Sequence, residues 1–373
     1  MAQKSAIVIG AGIVGLAIAR ALAIRNYQVT VIERNTRAVG ASVRNFGMIW
    51  PVGQPDGVLY ERAILSRDIW KEICSEAKIW YEQKGSLHLA YQRDEYQVLE
   101  QLHDIYRDRK YQLLNKEEVK LRSPVVATSG LIGGLYSEDE MVIDPVRAII
   151  AVAELLREKY RVEFIWGKAV TDIAYPSVYS GKEQFEADLV YVCSGFDFET
   201  LYPEIFSAAP LTKCKLQMMR LTASPDAARI GPSLCGGLSL LHYASFKSSS
   251  LLKALNIRLR QEFPEEIKWG IHVMVSQNQQ GELTIGDSHE YGPVHDPFDK
   301  KGINDLILQY LFSFADLRNY QLSESWNGIY AKLTNGGTEY ISRPESGVTI
   351  INGLGGAGMT LSFGLCEQLF TMN

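Results

Sequence analysis

The stretch Ala6-Ile-Val-Ile-Gly-Ala-Gly-Ile-Val-Gly15 decides how this chain folds. The β-branched run Ala6–Ile9 suits a buried parallel strand, and Gly10-Ala-Gly12-Ile-Val-Gly15 follows it at once. Leu16 to Ile24, rich in alanine and leucine, predicts a helix. Val29-Thr-Val-Ile32 predicts a second strand, ending at Glu33. Strand, glycine turn, helix, strand and acid together are the context in which a G-x-G-x-x-G run binds a dinucleotide. Gly10 allows the tight turn, Gly12 lets backbone approach a pyrophosphate, and Gly15 lets the helix pack closely on the strand. Ile13 and Val14 open the helix, whose free N–H groups and positive dipole end would face the phosphates. Glu33, with Arg34 beside it, lies 18 residues beyond Gly15, where a carboxylate accepts hydrogen bonds from a ribose diol. The same charge would repel a 2′-phosphate, which argues against NADP. The motif alone does not separate NAD from FAD.

The totals leave room for two intertwined domains in 373 residues. With 46% hydrophobic and 22% charged residues the chain is neither disordered nor fibrous. A net charge of −5 leaves no basic footprint for nucleic acid. The five cysteines (Cys74, Cys193, Cys214, Cys235, Cys366) form no C-x-x-C pair, so neither a disulfide framework nor a zinc site is expected. His289 beside Asp287 and Glu290 invites a metal reading, but the local spacing supplies no further ligands, and no metal is expected. No apolar run reaches the roughly 18 residues of a membrane span, and no cleavable leader is evident. The expectation is a cytoplasmic protein with reduced thiols. Oligomeric state is left open.

The next segment separates the cofactors. Gly40-Ala-Ser-Val-Arg-Asn-Phe-Gly47 is a small-residue loop and helix start. In it, Ser42 can donate to a phosphate, and small side chains admit backbone to a flat ring. It resembles the second FAD motif of the D-amino-acid oxidase superfamily, which includes glycine oxidase and sarcosine oxidase. Three further segments resemble that family in the same order. Asp144-Pro145 with Val146 to Tyr160 matches its crossover helix. Lys168-Ala-Val-Thr-Asp-Ile173 matches a segment whose backbone would contact the adenosine part. Asp188-Leu-Val-Tyr-Val-Cys-Ser-Gly195 matches its returning strand. Asn352-Gly-Leu-Gly-Gly-Ala-Gly-Met-Thr-Leu-Ser362 is similar to the family's C-terminal glycine loop. There, N–H groups and a helix dipole would stabilise charge on reduced flavin. Arg44-Asn-Phe-Gly-Met-Ile-Trp50 and Ile285-Gly-Asp-Ser-His-Glu290 look closest to a bacterial subgroup often encoded beside phosphonate-utilisation genes.

The resemblance implies an α/β, Rossmann-type FAD domain that is discontinuous (residues 1–84, 140–212 and 335–373). An α+β substrate domain (85–139 and 213–334) would be built on an antiparallel sheet. Strands are expected at Leu216 to Leu221, Gly270 to Ser276 and Leu283 to Gly286, and helices at Ser249 to Arg260 and Ile303 to Phe314. FAD contacts are expected from Gly10, Gly12, Ile13, Val14, Gly15, Glu33, Arg34, Ala41, Ser42, Asn45, Phe46, Gly47, Ala169, Val170, Ser194, Gly195, Gly355, Gly356, Ala357, Gly358, Met359 and Thr360. Some relatives attach FAD through a histidine in the second motif or a cysteine near the flavin. Residues 40 to 50 contain neither, and Cys366 reads as core, so non-covalent FAD is expected. Ala357 stands where relatives often carry a histidine.

The implied chemistry is oxidation of a small anionic amine to an imine by hydride transfer to flavin N5, with dioxygen or another acceptor restoring the flavin. Such a step needs placement more than a protein base. A flavin dehydrogenase using a quinone or protein acceptor is the alternative, and a non-catalytic flavin subunit a third reading. Four residues are candidates for the substrate pocket. Arg44 either anchors an anion or buttresses its loop. Tyr330 and Lys332 either face substrate or, for the lysine, solvent. His272 either lines the pocket or is a satisfied core residue. His242-Tyr243 is a candidate lid.

Overall fold

The computed structural model describes residues 3–224 and 227–371. Apolar side chains on both faces of Ser5–Ile9, Gln28–Glu33, Leu189–Val192 and Val348–Asn352 require a sheet covered on both sides. These strands form the centre of a six-stranded sheet. Its order is Tyr340–Ser342, Val348–Asn352, Leu189–Val192, Ser5–Ile9, Gln28–Glu33, Glu163–Trp166. Every pairing is parallel except that of the edge strand Tyr340–Ser342. Ala6, Val8, Val29 and Val31 pack against the helices Ile13–Ala23, Pro145–Tyr160 and Gly358–Thr371. Ile7, Ile9, Ile32 and Val190 point the other way, toward Val178 of a three-stranded sheet (residues 172–186) and Phe206 of a short helix.

The crossover helix begins as its sequence demands. Asp144 accepts hydrogen bonds from the N–H groups of Val146 and Arg147, and Pro145 takes the first helical position, where no donor is lost. The last helix returns to the first, and Arg20 and Arg25 of the N-terminal helix or its end both pair with Glu367.

The second sheet has nine strands. Eight run in the order Glu290–Gly292, Leu211–Ala223, Leu283–Gly286, Met274–Gln277, Ser233–Cys235, Ser86–Ala90, Gly133–Ser137, Tyr111–Asn115. The long strand Tyr320–Leu333 pairs along Leu211–Ala223. The sheet is mixed rather than wholly antiparallel, because Ser233–Cys235 runs parallel to Ser86–Ala90. A chain that leaves this sheet and returns from another layer need not reverse direction. The expected strand Gly270 to Ser276 is real only from Met274; residues 271–273, His272 included, are an irregular approach to it. The expected helices lie at Leu252–Glu262 and Lys301–Phe314. No helix among the described residues is long and apolar enough to cross a membrane.

Candidate cofactor and substrate site

A cavity of about 930 Å³ runs from the N-terminal glycine turn to the second sheet. That is the size of a cofactor-plus-substrate cleft. At its first end the walls are main chain. Gly10 holds φ +103°, and a Cβ there would lie 2.5 Å from the Cys193 carbonyl oxygen. A Cβ on Gly15 would come within 1.9 Å of the Gly10 oxygen, so only glycine lets the helix start this close to the strand. The helix has no cap from its own N-cap residue and no acid in its first turn. Ser42 serves instead: its Oγ accepts a hydrogen bond from Ile13 N at 2.9 Å. The serine thus joins the second motif to the helix and keeps its own proton free to donate. Glu33 is buried; it accepts from Ala11 N at 2.9 Å and Asn35 N at 3.0 Å and retains further lone pairs at the cavity wall. Arg34 pairs with Asp197, and both line the cleft.

The second motif is a 3₁₀ turn, Ala41–Val43. Asn45 braces it, donating to the Ala41 and Ser42 carbonyls at 2.9 Å each and accepting from Gly47 N at 2.8 Å. Among the expected FAD contacts, Gly47 and Ala169 do not line the cavity, whereas the other twenty do. Gly47 faces strand Met141–Ile143, since a Cβ there would sit 2.0 Å from the Ile143 oxygen. Lys168 and Val170, on either side of Ala169, reach the wall in its place.

The C-terminal loop closes the cofactor half. Asn352 Nδ2 donates to the Gly195 oxygen at 2.8 Å, tying the loop to the returning strand. Gly355–Ala357 is one 3₁₀ turn, and the helix follows from Gly358. Gly353 and Gly355 adopt positive φ; Gly356 does not. Thr360 Oγ1 accepts from Trp50 N at 2.9 Å, so the two ends of the chain meet here. Trp50 Nε1 is buried at the cavity wall without a partner, a donor left for a ligand. A helix N-terminus capped only by the second motif's Ser42, a ribose-ready carboxylate, a glycine-floored turn and an orphaned indole N–H together fit FAD.

Beyond this loop the walls become side chains. Lys332 in the long strand forms a backbone bridge with Leu354, which fixes the strand against the glycine loop. Tyr330, two residues earlier on the same face, lies 3.6 Å by its hydroxyl from where a Gly356 Cβ would be. Burial pushes the Tyr330 phenol far above its ordinary value, so it stays protonated. Burial also pulls the Lys332 ammonium below its usual value. Its single hydrogen-bond partner among the described residues is Tyr291 Oη at 3.3 Å. Arg44 Nη1 donates to the Asn327 carbonyl at 3.0 Å, and Trp326 Nε1 to the Arg44 carbonyl at 3.4 Å. Arg44 therefore locks the second motif onto the long strand while lining the cavity.

His272, His242 and His289 meet at the far wall. Their ring centroids are 3.7 Å apart for His242–His272, 5.1 Å for His272–His289 and 4.9 Å for His242–His289. Burial holds all three imidazoles below their ordinary range, His289 at about 4. Asp287 lies among them, its Oδ1 3.2 Å from His272 Nε2, and burial pushes its carboxyl up to about 8. His242 and Tyr243 are not a lid. Tyr243 is packed between Trp50 and Phe246 and donates to Met274 Sδ at 2.8 Å.

Lys247, Trp50 and Met274 line this end without having been singled out from sequence. No spacing rule reaches them, because each arrives from a different segment. Likewise, His289 lacks local companions. Glu290 pairs with Lys300, while His242 and His272 come in from 47 and 17 residues upstream.

The profile of the family described as FAD dependent oxidoreductase matches residues 5–371. Glycerol 3-phosphate dehydrogenase of Caloramator mitchellensis is 27% identical over 201 residues, 50% of this chain and 41% of that protein. The chain spans less than two thirds of the length of the curated relatives it matches. Among solved structures, L-proline dehydrogenase from P. horikoshii superposes with a TM-score of 0.80 at 22% identity, covering 99% of this chain and 94% of that one. Glycine oxidase from Geobacillus kaustophilus gives 0.79 at 19%, covering 100% and 94%. With its whole length matched by one profile and both glycine loops built around one cavity, the chain belongs to the FAD-dependent oxidoreductase family.

Proposed function

We propose that this flavoenzyme oxidises a small amine carrying an anionic group: an amino acid, an N-methyl amino acid or an aminophosphonate. The carrying observation is a pair of cations on the cavity wall, half-buried Lys332 and exposed Lys247, neither of which has a carboxylate partner among the described residues. A half-buried ammonium without a counter-ion favours an anionic ligand, because a charge-assisted hydrogen bond forms where water is partly excluded. Lys332 is fixed beside the glycine loop, so an anion held there puts the neighbouring amine carbon against the flavin side of the chamber.

FAD, when bound, supplies the acceptor for the hydride leaving the amine's α-carbon, and dioxygen then takes the two electrons with two protons as hydrogen peroxide. Lys332 binds and orients the anion. Tyr330 remains a phenol and donates to substrate or solvent at the loop. Trp50 and Tyr243 exclude water from the wall opposite. The imine product then takes up water, giving a carbonyl compound and a free amine. We further propose that FAD is held non-covalently. Cys193 and Cys366 are buried, and burial pushes the Cys193 thiol up to about 12, so no nucleophilic thiolate is available to form a flavin bond.

The test is anaerobic mixing of the purified flavoprotein with small amines, amino acids and aminophosphonates. Bleaching of the flavin by an anionic amine, followed by stoichiometric peroxide on admitting air, is the expected result. Bleaching without oxygen uptake would assign another electron acceptor. No bleaching by any amine would end the proposal. Lys332→Met should lower kcat/KM by roughly 10- to 100-fold, mainly through KM, on the scale of one lost charge-assisted bond. An unchanged KM would remove Lys332 from the anion site.

A further inference from the structure

The three histidines at the far wall come from separate segments. His242 ends the turn Gly237–Leu241, His272 precedes the strand Met274–Gln277, and His289 follows the strand Leu283–Gly286. Those two strands pair, Met274 opposite Gly286. The pairing continues outward through His272 N to the Asp287 oxygen at 3.3 Å and Asp287 N to the His272 oxygen at 3.4 Å. Two of the rings are thus carried on hydrogen-bonded backbone, and one nitrogen of each histidine lies within 4.8 Å of the others.

Two kinds of ligand suit such a cluster, an anion that accepts from N–H groups or a cation that takes lone pairs. The hydrogen bonding decides between them. His289 Nδ1 is 3.0 Å from the Gly270 carbonyl, which can only accept. Nδ1 therefore carries the proton, and Nε2 offers a lone pair. His272 Nε2 and Asp287 Oδ1 face each other at 3.2 Å, while His272 Nδ1 is buried with no hydrogen-bond partner. These residues are 4%, 7% and 5% exposed for His272, His289 and Asp287, so water does not compensate them. An anion would meet a lone pair on His289. A cation would take the free lone pair of His272, with the carboxyl–His272 and carbonyl–His289 contacts as the outer partners that orient metal-bound imidazoles.

We infer that His242, His272 and His289 form a binding site for one divalent transition-metal ion of the zinc class, with its fourth position open to the cavity. Three neutral nitrogens with an open position is the donor set of a zinc site that takes an exogenous ligand. Tetrahedral bonds of about 2.0–2.1 Å place nitrogens about 3.4 Å apart, so binding would draw the three nitrogens together from separations of up to 4.8 Å. If the proposed amine oxidation holds, the open position is where an anionic oxygen of the substrate would bind. The metal site itself does not depend on that reading.

The test uses the FAD-loaded protein, treated with chelator, dialysed and titrated with Zn²⁺ and with Co²⁺. One metal per chain by elemental analysis is expected, together with the visible absorption of tetrahedral Co²⁺ at wavelengths beyond the flavin bands. His242→Asn and His289→Phe should each weaken Zn²⁺ binding by at least about 100-fold, more than outer-partner changes do. FAD content and melting temperature serve as controls for folding, and the half-buried His242 covers failure of the buried variant. No uptake by the wild type, or uptake unchanged in both variants, overturns the site. A perturbation of the flavin spectrum by inorganic phosphate that needs the same histidines, without metal uptake, overturns it in favour of an anion pocket. Metal bound without amine oxidation would sink the proposed function and leave the site standing.

Discussion

Around the first helix the cavity is walled by main chain, and at the far sheet it is walled by side chains. In the cofactor half, Gly10, Gly12 and the loop Gly355–Gly358 offer N–H groups and space. The few side chains there, Glu33, Ser42 and Asn45, bond chiefly to backbone. At the far end, Lys332, Tyr330, Trp50, Tyr243 and the three histidines project from five separate segments. A wall of backbone serves a ligand common to many proteins, since amides and dipoles recognise phosphate whatever the rest of the chain does. A wall of side chains can be exchanged residue by residue without disturbing the scaffold, which is how one fold takes many substrates.

The contrast is broken most directly at Gly15. Gly15→Ala puts a methyl 1.9 Å from the Gly10 oxygen, a main-chain atom that cannot move alone. The expected outcome is loss of bound FAD and a stability loss of roughly 3 kcal/mol or more, the upper range for overpacking. It is read by flavin content and denaturant unfolding. A variant that keeps its flavin and its midpoint would show that this wall is not set by backbone approach.

The side-chain half has its own internal support, and pH exposes it. Glu140 is buried; it accepts from Val52 N at 2.8 Å and Ser86 Oγ at 3.1 Å, holding the turn Pro51–Gly53 that carries the wall beside Trp50. Burial is the main cause that pushes its carboxyl from 4.5 to about 7, with Asp139 adding to it. A raised carboxyl stabilises the fold fully only below its unfolded value. That contribution is lost as pH rises from about 4.5 through about 7, on the order of 3 kcal/mol in all. Nearby His88, held at about 3 by burial, works oppositely, costing stability as pH falls below its ordinary value. Comparing Glu140→Gln with wild type cancels the histidine contribution, because both proteins carry it. The variant should gain on wild type steadily between pH 4.5 and pH 7. Parallel stability curves would mean that Glu140 does not titrate in this window.

The same division explains what could be read in advance. The strand, turn and helix at Ser5–Ala23 were legible because periodicity and glycine spacing are local, and Asp144-Pro145 with the helix-like run after it marked the crossover helix by resemblance to the family. Gly47 reads as a cofactor contact in sequence because a glycine needed for packing against Ile143 looks the same as one needed for a ligand. Hydrophobic alternation predicts a strand through His272, yet regular pairing begins only at Met274. His289 looked companionless because its neighbours come from the turn before His242 and from an adjacent strand, a proximity set by sheet order. Lys247 carried no signal for the cavity: a lysine after an aromatic in a serine-rich stretch reads as solvent-facing, and it is exposed even where it lines the wall.

The smallest expected effect on stability lies at Gly356, and it gives the sharpest separation of ligand from fold. Gly356 is not in the left-handed region, and a Cβ there would meet nothing closer than the Tyr330 hydroxyl at 3.6 Å, an ordinary contact. Gly356→Ala should therefore leave folding within about 0.5 kcal/mol of wild type, as a substitution in open space does. Its neighbours Gly353 and Gly355 do hold positive φ, so the loop keeps its course without help from position 356. Any penalty must then come from what the cavity contains. A methyl at the cavity wall stands between the loop's N–H groups and a bound flavin, so the variant should bind FAD more weakly and show a lower flavin reduction potential. Melting temperature, FAD content and potential measured on one preparation decide the matter. A lower melting temperature with flavin content and potential unchanged would make Gly356 a structural residue like Gly47. An unchanged melting temperature with weakened flavin binding would mark this turn as the place where the backbone wall meets the ligand.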